Sequence, residues 1–273
     1  MGRIFLILLT GVAVARAQDV GTITMKDGTV YSSSSIRGSS NTIFISIPTT
    51  QGSGFIEIGL PFSKIASLNI PAPSDLRIAI AAAKAGDAET VILRTKTNID
   101  SEADLKDVPG SWWPEIAKIR LFALASSGRY ADAADLAGKI GVLTNETATT
   151  LSRGGTLFGS VASSDTEAVV VGANAIPRLS GEPGAALAQL ALGQALLMKK
   201  DYPGALRAFL TIKVFYPSLT LLQPAALMGA ANAYLGLDDE KRALQAVIEL
   251  QDNFARSPQA PDAKKMEKHL SKS

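Results

Sequence analysis

The residue types that carry most enzymatic chemistry are scarce in this chain of 273 residues. It contains no cysteine, which removes a disulfide framework, a thiolate metal site and a cysteine nucleophile from consideration. Its one histidine, His269, stands close to the C-terminus and cannot build a multi-histidine metal centre or anchor a buried Ser-His-Asp triad. Carboxylates and glycine runs are what remain. Asp100, Glu102, Asp104 and Asp107 have a calcium-loop look, but the required glycine and the terminal glutamate are missing, so they read as a solvated acidic linker. Arg153-Gly154-Gly155-Thr156 suggests a phosphate loop without its lysine or its preceding strand, and a turn or helix interruption is the expectation there. A glycan hydrolase needs only paired acids, yet nothing brings two of them into one identifiable pocket. The chain is therefore expected to be no enzyme and to carry no cofactor or metal.

Composition points to architecture. Hydrophobic residues make up 47%, charged ones 19% and aromatic ones 6%, so the interior must be packed from Ala, Leu, Val and Ile. Met1 to Ala17 has the pattern of a secretory signal peptide. Arg3 supplies the positive start, Ile4 to Ala15 the apolar run, and Ala15-Arg16-Ala17 the small residues before a cut ahead of Gln18. That apolar run is too short to span a bilayer, and Lys213 and Pro217 break the next-best stretch, so no stable membrane insertion is expected after cleavage. Loss of Arg3 and Arg16 lowers the 27 basic residues to equal the 25 acids. A neutral mature chain lacks the field that gives most nonspecific nucleic-acid affinity, and no nucleic-acid partner is expected. The expected address is periplasmic or secreted.

Residues 18–71 read as a small β domain. Ile23 to Lys26 leads into Asp27-Gly28, the pair best suited to a tight hairpin, and Thr29-Val30-Tyr31 begins the return. Thr42 to Ile47, Gly54 to Gly59 and Lys64 to Ile70 are further strands, separated by Gly/Ser/Pro clusters. Five short strands in this length predict a small five-stranded barrel, because closure removes exposed edges. The Thr24 to Thr29 hairpin and Leu60-Pro61-Phe62-Ser63-Lys64-Ile65 before the last strand resemble the Sm-like and SH3-like small barrels. Pro71-Ala72-Pro73-Ser74 marks the boundary, with Ser74 or Asp75 placed to cap the first helix beyond it.

Residues 72–273 carry a repeat. Ser127-Gly128-Arg129-Tyr130-Ala131-Asp132-Ala133 matches Lys199-Lys200-Asp201-Tyr202-Pro203-Gly204-Ala205, and weaker copies surround Gly86, Ser164 and Asp238. These turn residues, 86, 128, 164, 200 and 238, lie 42, 36, 36 and 38 apart, the length of two short helices and two turns. Gly193, Ala133, Ala205 and Ala243 are small enough for close helix crossings. Stacked pairs would share one core, with an atypical end helix at Pro261 to Leu270.

Leu192-Gly193, Tyr202, Ala205 and Tyr216-Pro217 resemble the tetratricopeptide repeat family. Phe215 to Ser218, Ala225 to Gly229 and Phe254 to Pro258 are further similar to repeats of bacterial cell-envelope proteins of the Tol-Pal coordinator and outer-membrane assembly lipoprotein type. The resemblance implies a mainly α chain, a right-handed α-α superhelix of about five pairs, and a concave groove lined by the first helix of each pair. It points to Lys118, Phe122, Gln194, Leu197, Met228 and Asn232 as partner contacts or inter-repeat packing. A clamp for a terminal carboxylate is not expected, because Ile119 and Phe122 stand where polar groups belong. Trp112 and Trp113 precede a helix that Pro114 can open, either as an exposed aromatic anchor or, with at least one buried, as a wedge against the repeats. The implied function is a noncatalytic scaffold that holds an envelope protein or peptide. The alternative is a cell-wall glycan module acting through the β domain, with the helices as spacer or oligomerisation unit.

Overall fold

The computed structural model describes residues 21–33, 35–39, 41–48, 54–143, 145–177 and 182–271. The expected signal peptide lies outside them. The described residues fall into two compact units, those up to 71 with Val108–Gly110, and those of 72–107 with 111 onward.

The first unit holds six short strands: β1 (Gly21–Met25), β2 (Val30–Ser33), β3 (Ile36–Ser39), β4 (Thr42–Pro48), β5 (Phe55–Pro61) and β6 (Ile65–Asn69). All pairs are antiparallel, in two sheets of order β2-β1-β6 and β3-β4-β5. The five-stranded barrel is thus corrected: among the described residues there is no closed barrel, and each sheet keeps two edges. Strand β3 is the one sequence reading missed, because its four residues end in Gly38-Ser39, which read as a separator. The β1–β2 hairpin turns at Gly28, whose φ of 86° suits only glycine, while Asp27 accepts the Thr29 N–H at 2.9 Å. Ile23 and Met25 alternate inward on β1 and meet Ile43, Ile45, Leu60, Ile65 and Leu68 in the core of the unit. Val108–Gly110 belong here because the Leu68 N–H donates to the Pro109 carbonyl at 2.8 Å. Gly110, at φ 87°, lets the chain press against the Leu68 backbone, where a Cβ would collide.

The second unit is helical throughout. Five pairs follow one another: α1 (Ser74–Lys84) with α2 (Ala88–Ser101), α3 (Trp113–Ser126) with α4 (Tyr130–Ile140), α5 (Glu146–Ala162) with α6 (Thr166–Asn174), α7 (Pro183–Met198) with α8 (Tyr202–Phe215), and α9 (Gln223–Gly236) with α10 (Glu240–Phe254). A final helix, α11 (Ala260–Leu270), ends the described chain. The chain as a whole is mainly α, with the sheets confined to its N-terminal part.

All five pairs are joined by the same device. Gly86, Gly128, Ser164, Lys200 and Asp238 have φ between 58° and 76°. Each donates its N–H three residues back, and the next residue donates five residues back, which is the Schellman ending of a helix. That next residue then caps the second helix. Asp87, Asp165, Asp201 and Asp239 each accept the N–H three positions on, at 3.0 to 3.1 Å, whereas Arg129 has no such side-chain bond.

Small residues then allow the helices to close. Phe209 is fully buried between α7 and α9, and a Cβ on Gly193 would lie 2.6 Å from its ring. Gly229 faces the same ring, and Tyr202 packs over Gly236. Gly154 of α5 and Gly184 of α7 abut backbone to backbone. The expected interruption at Arg153 to Thr156 is therefore corrected: these residues sit inside unbroken α5, and the glycine serves a helix crossing.

One hydrophobic core runs from Leu76 to Ala233, and a second, smaller one joins α9, α10 and α11 through Leu227, Ala231, Val247, Leu250 and Ala263. The stack also returns on itself. The Thr220 hydroxyl, before α9, donates to the Ala83 carbonyl of α1 at 2.7 Å. The Gln259 side-chain amide, at the start of α11, donates to the Ser126 carbonyl of α3 at 2.6 Å. Helices α3, α7 and α9 are consequently buried around most of their circumference, as in the run Gly184 to Gly193. Stacking alone predicts an open cradle along them. Ala-rich faces without bulky or charged props fill instead.

Candidate functional site

A pocket of about 250 Å³ remains where the last helices meet the second pair. Gln194 of α7 and Met228 and Asn232 of α9 line it, which brings together three of the six groove positions anticipated from sequence. They share it with Ser126 and Ser127 at the end of α3, Tyr130 at the start of α4, and Gln259 and Asp262 of α11. Sequence reasoning missed these, since they join the site through a contact spanning 133 residues.

Unsatisfied hydrogen-bonding capacity is concentrated there. Ser126 is 3% exposed, and its hydroxyl has no protein partner; the Ser127 hydroxyl and the Gln259 Oε1 are also buried and unpartnered. Such groups cost free energy when left dry, and these three are shut off from solvent, so they lie behind the pocket wall. The orientation of the Gln259 amide is fixed, because only its nitrogen can donate to the Ser126 carbonyl. Asp262 is the sole charged side chain lining the pocket, and its Oδ1 accepts from Lys265 at 2.8 Å. The Tyr130 ring stacks on Phe158 at 5.4 Å, and burial raises the pKa of its phenol above the ordinary tyrosine value.

The other anticipated residues lie elsewhere. Phe122 is 4% exposed and belongs to the core, so its side chain is a packing element and is closed to a partner. Trp113 is 2% exposed and donates its indole N–H to the Ile99 carbonyl at 3.2 Å, wedging the end of α2 against α3. Trp112 is half-buried against the core. Lys118 pairs with Glu115 one turn earlier and edges a pocket of about 120 Å³ with Trp113, Leu143 and Leu151. Leu197 is half-buried against the main core.

Compared with known proteins, the chain matches no family model and no curated protein. Its own geometry carries the reading.

A larger cavity of about 410 Å³ between α2, α3 and α4 mixes cations with acids. Arg120 within it is already engaged, donating to the Ile92 carbonyl at 2.6 Å and to the Thr95 hydroxyl at 3.0 Å. Burial pulls its guanidinium below the usual value, against the opposing charges of Asp100 and Asp132. Among the described residues no three acids or histidines converge as a metal centre would need, and His269 is exposed on α11. No described helix is long and apolar enough to cross a membrane.

Proposed function

We propose that the chain is a noncatalytic scaffold of the cell envelope, exported through its N-terminal signal, whose helical unit is a tetratricopeptide-like right-handed array. It holds a protein or peptide partner at the pocket formed by Gln194, Met228, Asn232 and the α3–α4 turn. The observation that carries this reading is that Gln194, Met228 and Asn232, from the first helices of two successive pairs, line one pocket together with the α3–α4 turn. Preorganisation is the mechanism. The closed stack fixes these groups before a partner arrives, so little ordering entropy opposes binding. Contact is confined to the pocket and its rim, since the inner faces of α3, α7 and α9 are already filled.

Photo-crosslinking in the cells that make the protein tests this. Probes at Gln194 and Asn232 should capture a discrete protein, with a probe at buried Phe122 as the silent control. Absence of any protein adduct at both rim positions overturns the scaffold reading.

A further inference from the structure

The β unit offers an interface of another kind, independent of the pocket. Each of its sheets has two edges, and three of the four are guarded in ways that keep strand edges from pairing. Strands β2 and β3 have only four residues each. On the outer side of β6 the Leu68 N–H is taken by the Pro109 carbonyl. Strand β5 has none of these guards among the described residues. It runs for seven residues in unbroken register with β4, carries no lysine, and meets proline only at its last position.

The register fixes what this edge presents. The Phe62 N–H donates to the Asn41 carbonyl at 3.0 Å, so the hydrogen-bonded pairs that follow are Leu60 with Ile43, Ile58 with Ile45 and Ile56 with Ile47. The main-chain groups of Phe55, Glu57 and Gly59 therefore point away from β4, and no described backbone group bonds them there. Ile56 and Ile58 share the core face, yet Ile56 is 57% exposed. On the other face Phe55 is 69% exposed, and Gly59 has no side chain where the Phe44 ring leans over it. Glu57 is the only charge on the strand, and Arg37 pairs with it.

We propose that β5 pairs antiparallel with β5 of a second copy of this chain, about a two-fold axis at Glu57, and so joins two three-stranded sheets into one. A second copy is selected because the strand complements itself. In this register the outward main-chain groups of Phe55, Glu57 and Gly59 all find partners. Phe55 falls opposite Gly59 of the second copy, beside the Phe44 ring there, and Ile56 falls opposite Ile58, so exposed apolar side chains are covered on both faces. The two Glu57 carboxylates meet at the axis with an Arg37 on each, so the pairing brings no net charge together.

The chain has no cysteine, so a single introduced one reports contact cleanly. Directly opposed residues of a hydrogen-bonded pair have Cα atoms about 5.5 Å apart, inside the span of about 4.4–6.8 Å that a disulfide bridges. Under mild oxidation the full chain without its expected signal segment should form a covalent dimer when it carries Glu57→Cys, whereas Ser32→Cys, exposed on the β2 edge, should leave it monomeric. Sedimentation equilibrium of the cysteine-free chain should show a concentration-dependent dimer. Ile56→Lys should lower its association constant about tenfold, because the contact is lost twice across the axis. Ile56 is exposed, so the fold accepts lysine there, and circular dichroism verifies this. A monomer at every concentration, a dimer that ignores Ile56→Lys, or a Ser32→Cys dimer formed as readily as the Glu57→Cys one overturns the proposal. So does a chain that stays monomeric while a crosslinking probe at Glu57 captures a different protein. No pocket residue is altered, so none of these outcomes bears on the scaffold reading.

Discussion

Glu102 shows how a single side chain can work against the fold it sits in. It caps the end of α2 half-buried, one of its carboxylate oxygens has no partner, and burial raises its pKa above the ordinary 4.5. The folded chain therefore holds that proton more tightly than the unfolded chain does. Stability is undiminished below about pH 4.5 and falls as pH rises from there through the raised folded value. Glu102→Gln keeps the shape and removes the charge. Urea unfolding should find this variant more stable than the parent at neutral pH and equal to it in acid; an equal or lower neutral midpoint would mean the carboxylate has a partner in solution.

The five joints make predictions at the scale of helices. Three of their left-handed positions are held by residues with side chains, Ser164, Lys200 and Asp238, and each such residue costs about 1 kcal/mol relative to glycine. Lys200 is exposed, so Lys200→Gly should raise stability by about 0.5–1 kcal/mol. Asp201→Ala, one position on, should lower it by about 1 kcal/mol through loss of the cap on the Gly204 N–H. Thermal or urea unfolding reads both, and equal effects of the same sign would contradict the joint as described. These joints were legible in sequence for a local reason: a turn residue followed by a capping aspartate and a small residue is written within seven positions. Strand β3 was not, because four residues ending in Gly38-Ser39 carry no alternation to read. Gly154 misled for a related reason. A glycine in a turn and a glycine at a helix crossing look alike until the facing residue, Gly184, is known.

For the helical unit taken whole, the returning contacts matter most, and they were the least legible. Gln194, Met228 and Asn232 could be found because they share the inward face of first helices. Ser126 and Gln259 could not, since a hydrogen bond across 133 residues leaves no local pattern. The small second core ties α11 only to α9 and α10, so the Gln259 amide is its described hydrogen-bonded link to the early pairs. Gln259→Ala should cost about 1 kcal/mol and speed amide exchange in residues 257–270, leaving α4 to α8 unchanged in mass-spectrometric hydrogen exchange. Unaltered exchange in α11 would show that the link carries no restraint. The return also constrains how such a chain can change in length. A stack with free ends accepts one more unit, or one fewer, with little penalty. Here Thr220 must find Ala83 and Gln259 must find Ser126, so inserting or deleting a single pair would move both partners out of reach. The copy number is thereby locked by geometry, and variation among descendants should accumulate in connecting segments and rim side chains while the tally of pairs stays fixed.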